Sequence, residues 1–117
     1  ISYGYSRVNP GFMAAAPVPA AQMALANAGL KITDMKAIKS HNPFTTNDLN
    51  FAKKMGIDVM FMNNYGSSLI YGHPQAPTAG RIIAEMLEEM AMIGGGYCLW
   101  AGCAAGDTGA SMIFKVG

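Results

Sequence analysis

Two histidines, His41 and His73, and two cysteines, Cys98 and Cys103, are the side chains of this sequence best suited to acid–base or nucleophilic chemistry. An imidazole can take the proton of a thiol, and the thiolate that forms is a strong nucleophile. The cysteines form no CxxC or zinc-type spacing, and their odd separation along one strand would point them to opposite faces. The residue types therefore admit cysteine–histidine chemistry and predict neither a disulfide nor a metal site.

Both histidines lie where a predicted strand gives way to a predicted helix. His41 lies in SHNPF, and His73 lies in YGHPQAPTAGR, directly after Gly72. In an α/β sheet with parallel strands such junctions meet at one edge, where ligands bind. Free N–H groups ahead of a helix also suit an oxyanion, and a glycine lets a substrate approach the backbone. A lone histidine is more often a turn residue, and a lone cysteine is more often a small buried one, so spacing alone leaves both interpretations open.

The elements that must position these residues alternate between strand and helix, which indicates an α/β sheet. The stretch 57–62 is either a strand or a linker. Thr45 and Asp48 resemble a capping box, and Cys103 is expected in a glycine-rich loop at 102–109 that exposes it. The predicted strands are 1–8, 35–40, 97–101 and 110–116, and the predicted helices are 17–28, 46–55 and 78–93.

Composition indicates one domain with a covered second face. The chain has 117 residues, of which 13% are charged and 51% hydrophobic. An ordinary soluble domain carries about 25% charged residues, so we expect an apolar surface that another domain or subunit hides. The net charge of +1 comes without a basic stripe, which argues against nucleic-acid binding. Prolines interrupt the uncharged stretch 8–30, so no membrane span is predicted, and the cytosol is the default location.

Four motifs, in the same order along the chain, and the closing strand after them resemble the thiolase family. The segment 72–81 resembles its GHP loop, which typically reads GHPxGATGAR, and 17–20, preceded by Met13, resembles MGxGPVPA. Residues 41–44 occupy the place of the NEAF or HEAF box, with histidine first as in HEAF and sterol-carrier-type thiolases. Residues 103–109 match CxGGGxG, and 111–116 resemble the final strand. The resemblance covers essentially the whole chain, but only the C-terminal domain of a thiolase.

The resemblance implies a fold, a reaction and a partner. The expected fold is half of a thiolase, with a mixed five-stranded sheet flanked by helices in a single domain, 1–117. The family transfers acyl groups between 3-ketoacyl-CoA and CoA, by thiolysis or by Claisen condensation, with CoA esters as substrates and no cofactor. Its acylated cysteine lies in an N-terminal domain that is absent from this chain. We therefore expect an N-terminal domain or subunit as partner, further oligomerisation, and no turnover by the isolated chain.

The resemblance also assigns roles to individual residues. His73 would take the proton of the missing nucleophile and, with His41, bind the thioester oxygen as it becomes an enolate. Cys103 would be the general acid and base, and the backbone N–H of Ala105 would complete a second oxyanion site. The residues implied to contact substrate are Gly72, Pro74 and Phe44.

Several positions depart from the family pattern. Asn42 replaces the usual glutamate, Tyr71 is expected to narrow the acyl pocket, and Asp107 near Cys103 is expected to disfavour its thiolate. These departures leave open a catalytically silent subunit that binds CoA esters or organises a complex. An unrelated α/β binding domain, in which His73 and Cys103 are structural, is the remaining alternative.

Overall fold

The computed structural model describes all residues from Ile1 to Gly117 and contains one four-stranded mixed sheet. The strand order is β1-β4-β3-β2. β1 and β3 each pair antiparallel with β4, while β2 pairs parallel with β3. The parallel pair brings the carboxyl ends of β2 and β3 to the same edge. The strands are β1 (Ser2–Arg7), β2 (Met35–His41), β3 (Gly96–Ala104) and β4 (Thr108–Val116).

Helices cover both faces of the sheet. The helices are α1 (Pro17–Ala28), α2 (Thr45–Met55), the single turn α3 (Ser68–Tyr71) and α4 (Thr78–Met92). α1 and α2 form the larger core with one face, around Phe51, Ile38 and Leu99. α4 forms the smaller core with the other face, around Met86, Met90 and Trp100. Successive strand residues point to opposite faces, which divides β3 between the two cores. None of the helices combines the length and the apolar composition that a membrane span requires.

α1 approaches β1 closely at Gly4. A Cβ at this position would lie 2.1 Å from the carbonyl oxygen of Ala20 and 2.8 Å from the backbone nitrogen of Ala24. Any side chain here would therefore push the helix away from the strand. Pro17 lies at the start of α1, where the N–H that proline lacks would have had no partner within the helix, and Gly29 ends α1 in the left-handed conformation.

α4 packs mainly against β2 and β3. It therefore covers only half of the sheet face on which it lies, and the half that includes β1 is left uncovered. Tyr3 and Tyr5 of β1 lie on the uncovered half and are 67% and 68% exposed. Met112, which pairs with Tyr3, is also exposed, and Ile1 continues the same apolar surface. Exposed apolar surface of this kind marks an interface. We call this surface, formed by Ile1, Tyr3, Tyr5 and Met112, the open sheet face.

The sheet has four strands, one fewer than the family resemblance implied, and the stretch 57–62 is a linker. Within 57–62 the chain forms a single 3-10 turn, Val59–Phe61, whose start is capped by the side chain of Asp58 accepting from the N–H of Met60 at 2.9 Å. The turn uses backbone groups that a strand would need for pairing. Only one bridge, between Met62 and Ile38 of β2, remains beside the sheet.

The two closing strands are longer than predicted, and this changes the setting of Cys103. β3 continues to Ala104 and β4 begins at Thr108, so only three residues join them. Cys103 therefore lies within β3 and is buried, although the sequence predicted an exposed loop position. Cys98 also lies in β3 and packs in the α4 core, while Cys103 contacts α2 from the other face.

Candidate functional site

A cleft at the carboxyl ends of β2 and β3 brings the predicted chemistry together. His41, His73 and Cys103 line a cleft of about 360 Å³. The same three residues line a second, adjoining cleft of about 210 Å³. The sequence places these residues 30 or more positions apart, so the fold creates the cluster. No group of three or more His, Cys, Asp or Glu side chains is placed to hold a metal ion.

The parallel pairing of β2 and β3 fixes two of the three side chains. His41 is the last residue of β2 and is the Cα partner of Gly102, which directly precedes Cys103. A Cβ on Gly102 would lie 2.7 Å from the ring of Trp100 and 3.1 Å from the Cβ of His41. Glycine is therefore needed here for the imidazole and the indole to share this end of the sheet.

His41 is neutral at pH 7. Burial, followed by the charge of His73, lowers the pKa of His41 to about 4. Its ring centroid lies 4.2 Å from that of His73, and its Nδ1 is buried without a hydrogen-bond partner. A neutral imidazole can still donate one N–H bond, so His41 suits the stabilisation of a developing oxyanion.

The lowered pKa of His41 predicts that the chain loses stability in mild acid. The unfolded chain binds a proton at His41 near pH 6.5, whereas the folded chain does so only near pH 4. The free energy of unfolding is therefore unaffected by this group above pH 6.5 and declines as the pH falls toward 4. The loss contributed by His41 should reach about 3 kcal/mol. Urea unfolding between pH 4 and 7 measures it, and His41→Asn should flatten the decline. An equal decline in that variant would assign the loss to other groups.

His73 is held by Thr78, the first residue of α4. The hydroxyl of Thr78 donates its one proton to the carbonyl of Pro74 at 2.6 Å. Nδ1 of His73 lies 3.0 Å from the same oxygen, which can then only accept. Nδ1 of His73 therefore carries the proton, and Nε2 is left as the basic atom. The hydroxyl thus selects the tautomer in which Nε2 can take a proton.

Cys103 is buried, and burial raises the pKa of its thiol, while a hydrogen bond from Asn47 acts in the opposite direction. Nδ2 of Asn47 lies 3.4 Å from Sγ of Cys103. The expected effect of Asp107 on the thiol is not found, because its carboxylate accepts from the N–H of Gly11 at 3.0 Å and burial is the largest cause of the shift.

Asp48 joins the segments around the cleft. The predicted capping box of Thr45 and Asp48 is wrong, because Asn47 accepts the hydrogen bond from the N–H of Phe44 at 3.2 Å. Asp48 is buried and accepts hydrogen bonds from Ser40, Asn42 and Asn63 instead. Asn42 in turn accepts from the N–H of Ser68 at 3.0 Å, which ties α3 and the His73 loop to the end of β2.

The remaining predicted residues divide into two groups. Ala105 lines both clefts, and Phe44 lines the smaller one. Gly72 and Pro74 line neither, although the Pro74 carbonyl anchors Thr78. The side chains that sequence reasoning missed are Thr78, Trp100 and Asn47. Thr78 lies within the segment 72–81 that resembles the GHP loop, which was a usable signal for it, and nothing local pointed to Trp100 or Asn47.

Tyr71 lies outside the cleft. Its hydroxyl donates to the carbonyl of Tyr65 at 2.8 Å, and Arg81 stacks over its ring at 4.8 Å. Tyr71 therefore lines neither of the two clefts that His41, His73 and Cys103 share, and its expected effect on an acyl pocket stays a prediction.

The comparisons with known proteins all indicate the same family. Residues 1–116 match the model of the family described as "Thiolase, C-terminal domain". The chain is 34% identical to a beta-ketothiolase of Cupriavidus necator, with 98% of this chain and 29% of that protein covered. It is 35% identical to a 3-ketoacyl-CoA thiolase of Photobacterium profundum, with 97% of this chain and 30% of that protein covered.

Solved structures agree. Human mitochondrial 3-ketoacyl-CoA thiolase in complex with CoA superposes on all of this chain with a TM-score of 0.95 and 29% identity, and 30% of that protein is covered. The chain thus spans about 30% of the length of the relatives that it matches.

Proposed function

The chain belongs to the thiolase family as a C-terminal domain, and from this premise we propose that it supplies the acid–base and oxyanion groups of an acyltransferase. The reaction is acyl transfer between a 3-ketoacyl-CoA and CoA, as thiolysis or as the reverse Claisen condensation. The names of the relatives, beta-ketothiolase and 3-ketoacyl-CoA thiolase, support this substrate class. The observation that carries the proposal is the single cleft that His41, His73 and Cys103 line together.

In thiolysis, Nε2 of His73 takes the proton of a cysteine that lies outside this chain. The thiolate attacks the 3-keto carbon, and the bond between carbons 2 and 3 breaks, which leaves an acyl-enzyme and the enolate of acetyl-CoA. The thiol of Cys103 gives its proton to carbon 2 of that enolate and so releases acetyl-CoA. The resulting thiolate then takes the proton of the incoming CoA, whose sulfur attacks the acyl-enzyme. The bond between the acyl group and the nucleophilic cysteine breaks, acyl-CoA leaves, and the freed cysteine thiolate takes its proton back from His73.

Two groups of donors stabilise the oxygens that become negative. The neutral N–H of His41, together with His73, faces the thioester oxygen of the enolate, and the backbone N–H of Ala105 faces the second oxyanion. Donors that are already oriented stabilise charge that appears only during the reaction. The position of Ala105 in both clefts and the pKa of about 4 for His41 support these roles. CoA and acyl-CoA act as substrates, and the mechanism uses no cofactor.

The open sheet face supports an N-terminal partner. This chain covers only 29% of the relative from Cupriavidus necator, so most of that protein lies outside the matched part. The apolar surface formed by Tyr3, Tyr5 and Met112 is available for an N-terminal partner to cover. This partner provides the acyl-accepting cysteine, so the isolated chain is inactive. The assembled enzyme is a homo- or hetero-oligomer in the cytosol, which binds neither membranes nor nucleic acids.

A reconstitution assay tests the proposal. The chain combined with its N-terminal thiolase counterpart should cleave acetoacetyl-CoA in the presence of CoA, measured as loss of the enolate absorbance, and neither part should do so alone. Cys103→Ala should lower the rate about 10²-fold or more, because proton transfer to carbon 2 loses its donor.

The matched control is Cys98→Ala, which changes the buried cysteine on the opposite face of the same strand. This variant should retain the activity. A correctly assembled complex that binds acetoacetyl-CoA without cleaving it would refute the catalytic role and leave a silent subunit.

A further inference from the structure

Asn47 lies in the first turn of α2 and has a fixed orientation. It is 3% exposed, and its Oδ1 accepts from the backbone N–H of Phe44 at 3.2 Å. A backbone N–H can only donate, so the amide oxygen must face Phe44 and the amide nitrogen must face the other way. Nδ2 then lies 3.4 Å from Sγ of Cys103. The sulfur therefore accepts a hydrogen bond from a donor that cannot turn away without leaving the Phe44 N–H unpaired.

We propose that Asn47 is a positioning residue that holds the Cys103 sulfur in the cleft and stabilises its thiolate through the Nδ2–H···Sγ hydrogen bond. An N–H donor interacts more strongly with a negative sulfur than with a neutral thiol. The bond therefore favours proton release from a thiol that burial otherwise keeps protonated. The catalytic consequence rests on the proposed function, in which Cys103 gives a proton and takes one back in each turnover.

The charged and titratable groups around Cys103 are few. His41 of β2 and His73 of the loop before α4 line the cleft with it. Asp48 adjoins Asn47 on α2, and its carboxylate is held by Ser40 and Asn42. Asp107 follows β3, and its carboxylate is directed to Gly11. Among the side chains around the sulfur, the amide of Asn47 is the one that donates a hydrogen bond to it.

Asn47→Asp isolates the donor. Aspartate has the same shape and keeps an oxygen for the Phe44 N–H, so the start of α2 is preserved, but a carboxylate has no proton to donate. The pKa of Cys103, measured from thiolate absorbance and from the pH dependence of alkylation, should rise by about one to two units. The measurement uses the 117-residue chain carrying Cys98→Ala, because the other thiol would also titrate.

Two further variants separate the hydrogen bond from other effects. Asn47→Leu removes the donor without adding charge and should also raise the pKa of Cys103. Asn50→Asp places the same charge elsewhere on α2 and should leave that pKa nearly unchanged. An unchanged pKa in both Asn47 variants, or an equal rise in Asn50→Asp, would overturn the proposal.

The pKa of Cys103 can be measured without a catalytic reaction. The proposal about Asn47 and the proposed function can therefore be refuted independently of each other. A shifted pKa in a reconstituted enzyme without thiolysis would refute the proposed function and uphold the role of Asn47. In an active enzyme, the pH–rate profile of thiolysis should have an acidic limb that reports the ionisation of Cys103. The apparent pKa of that limb should rise by the same amount in Asn47→Asp.

Discussion

Replacing His73 with alanine should lower the rate of thiolysis by the assembled enzyme about 10⁴-fold, toward the upper end of what one acid–base group contributes. The effect is large because one imidazole serves two steps. In the proposed mechanism it takes the proton from the nucleophile, and it helps to bind the oxygen that becomes negative. Thr78 holds Nδ1 of its ring at 3.0 Å, so the basic Nε2 is already prepared before substrate binds.

Single-turnover measurements locate the loss. Formation of the acyl-enzyme should slow in His73→Ala, and so should the reaction of the nucleophilic cysteine with iodoacetamide. Tyr71→Phe is the control, because this ring lies two positions away and outside the cleft, and its rate should remain close to that of the unmodified enzyme. A His73→Ala enzyme within tenfold of the unmodified rate would show that another base activates the nucleophile.

Replacing Lys39 with alanine should destabilise the fold by about 3–5 kcal/mol. Lys39 is 1% exposed, and its Nζ lies 2.9 Å from carboxylate oxygens of both Glu85 and Glu89 on α4. Nζ also donates to the carbonyl of Asn64. Without the ammonium group, the carboxylate of Glu89 would remain buried without a counter-ion, which is costly. Since domains have a free energy of unfolding of about 5–15 kcal/mol, this loss threatens folding itself.

Chemical unfolding checks this result. Lys36→Ala changes an exposed lysine of the same strand that bonds one backbone carbonyl, and it should cost about 1 kcal/mol. Adding Glu89→Leu to Lys39→Met should recover part of the loss, because the two opposite buried charges then disappear together. Equal losses in Lys39→Ala and Lys36→Ala would show that the buried ion pairs do not support the fold.

The sequence was sufficient where the signal is local. α4 was predictable from apolar residues at helical spacing, and α1 from the prolines that begin it and the glycine that ends it. The position of His41 was predictable, because it ends a strand at one edge of a sheet with parallel strands. The expectation that His73 also follows a strand was wrong, since it lies between α3 and α4. The family resemblance added Cys103, whose contribution no spacing could have indicated.

The remainder depends on contacts between distant segments. Asp48 has the spacing of a cap, yet its oxygens bind Asn42 and Asn63, and the neighbouring Asn47 accepts the capping hydrogen bond. Nothing in the sequence around Lys39 indicates its partners, which lie 46 and 50 positions along the chain. The sequence left 57–62 open as a strand or a linker, and the Asp58 side chain, which caps a turn there, decides for the linker.

The backbone ladder between β2 and β3 has a consequence for how relatives can diverge. Because His41 is aligned with Gly102 by main-chain pairing, exchanging the side chain at position 41 leaves the neighbouring thiol in place. Changing the separation of these two groups would require a slip of the whole strand, which buried cores on both faces oppose. Any relative that keeps this pairing therefore keeps the distance between positions 41 and 103, whatever changes occur in the loops between β2 and α4.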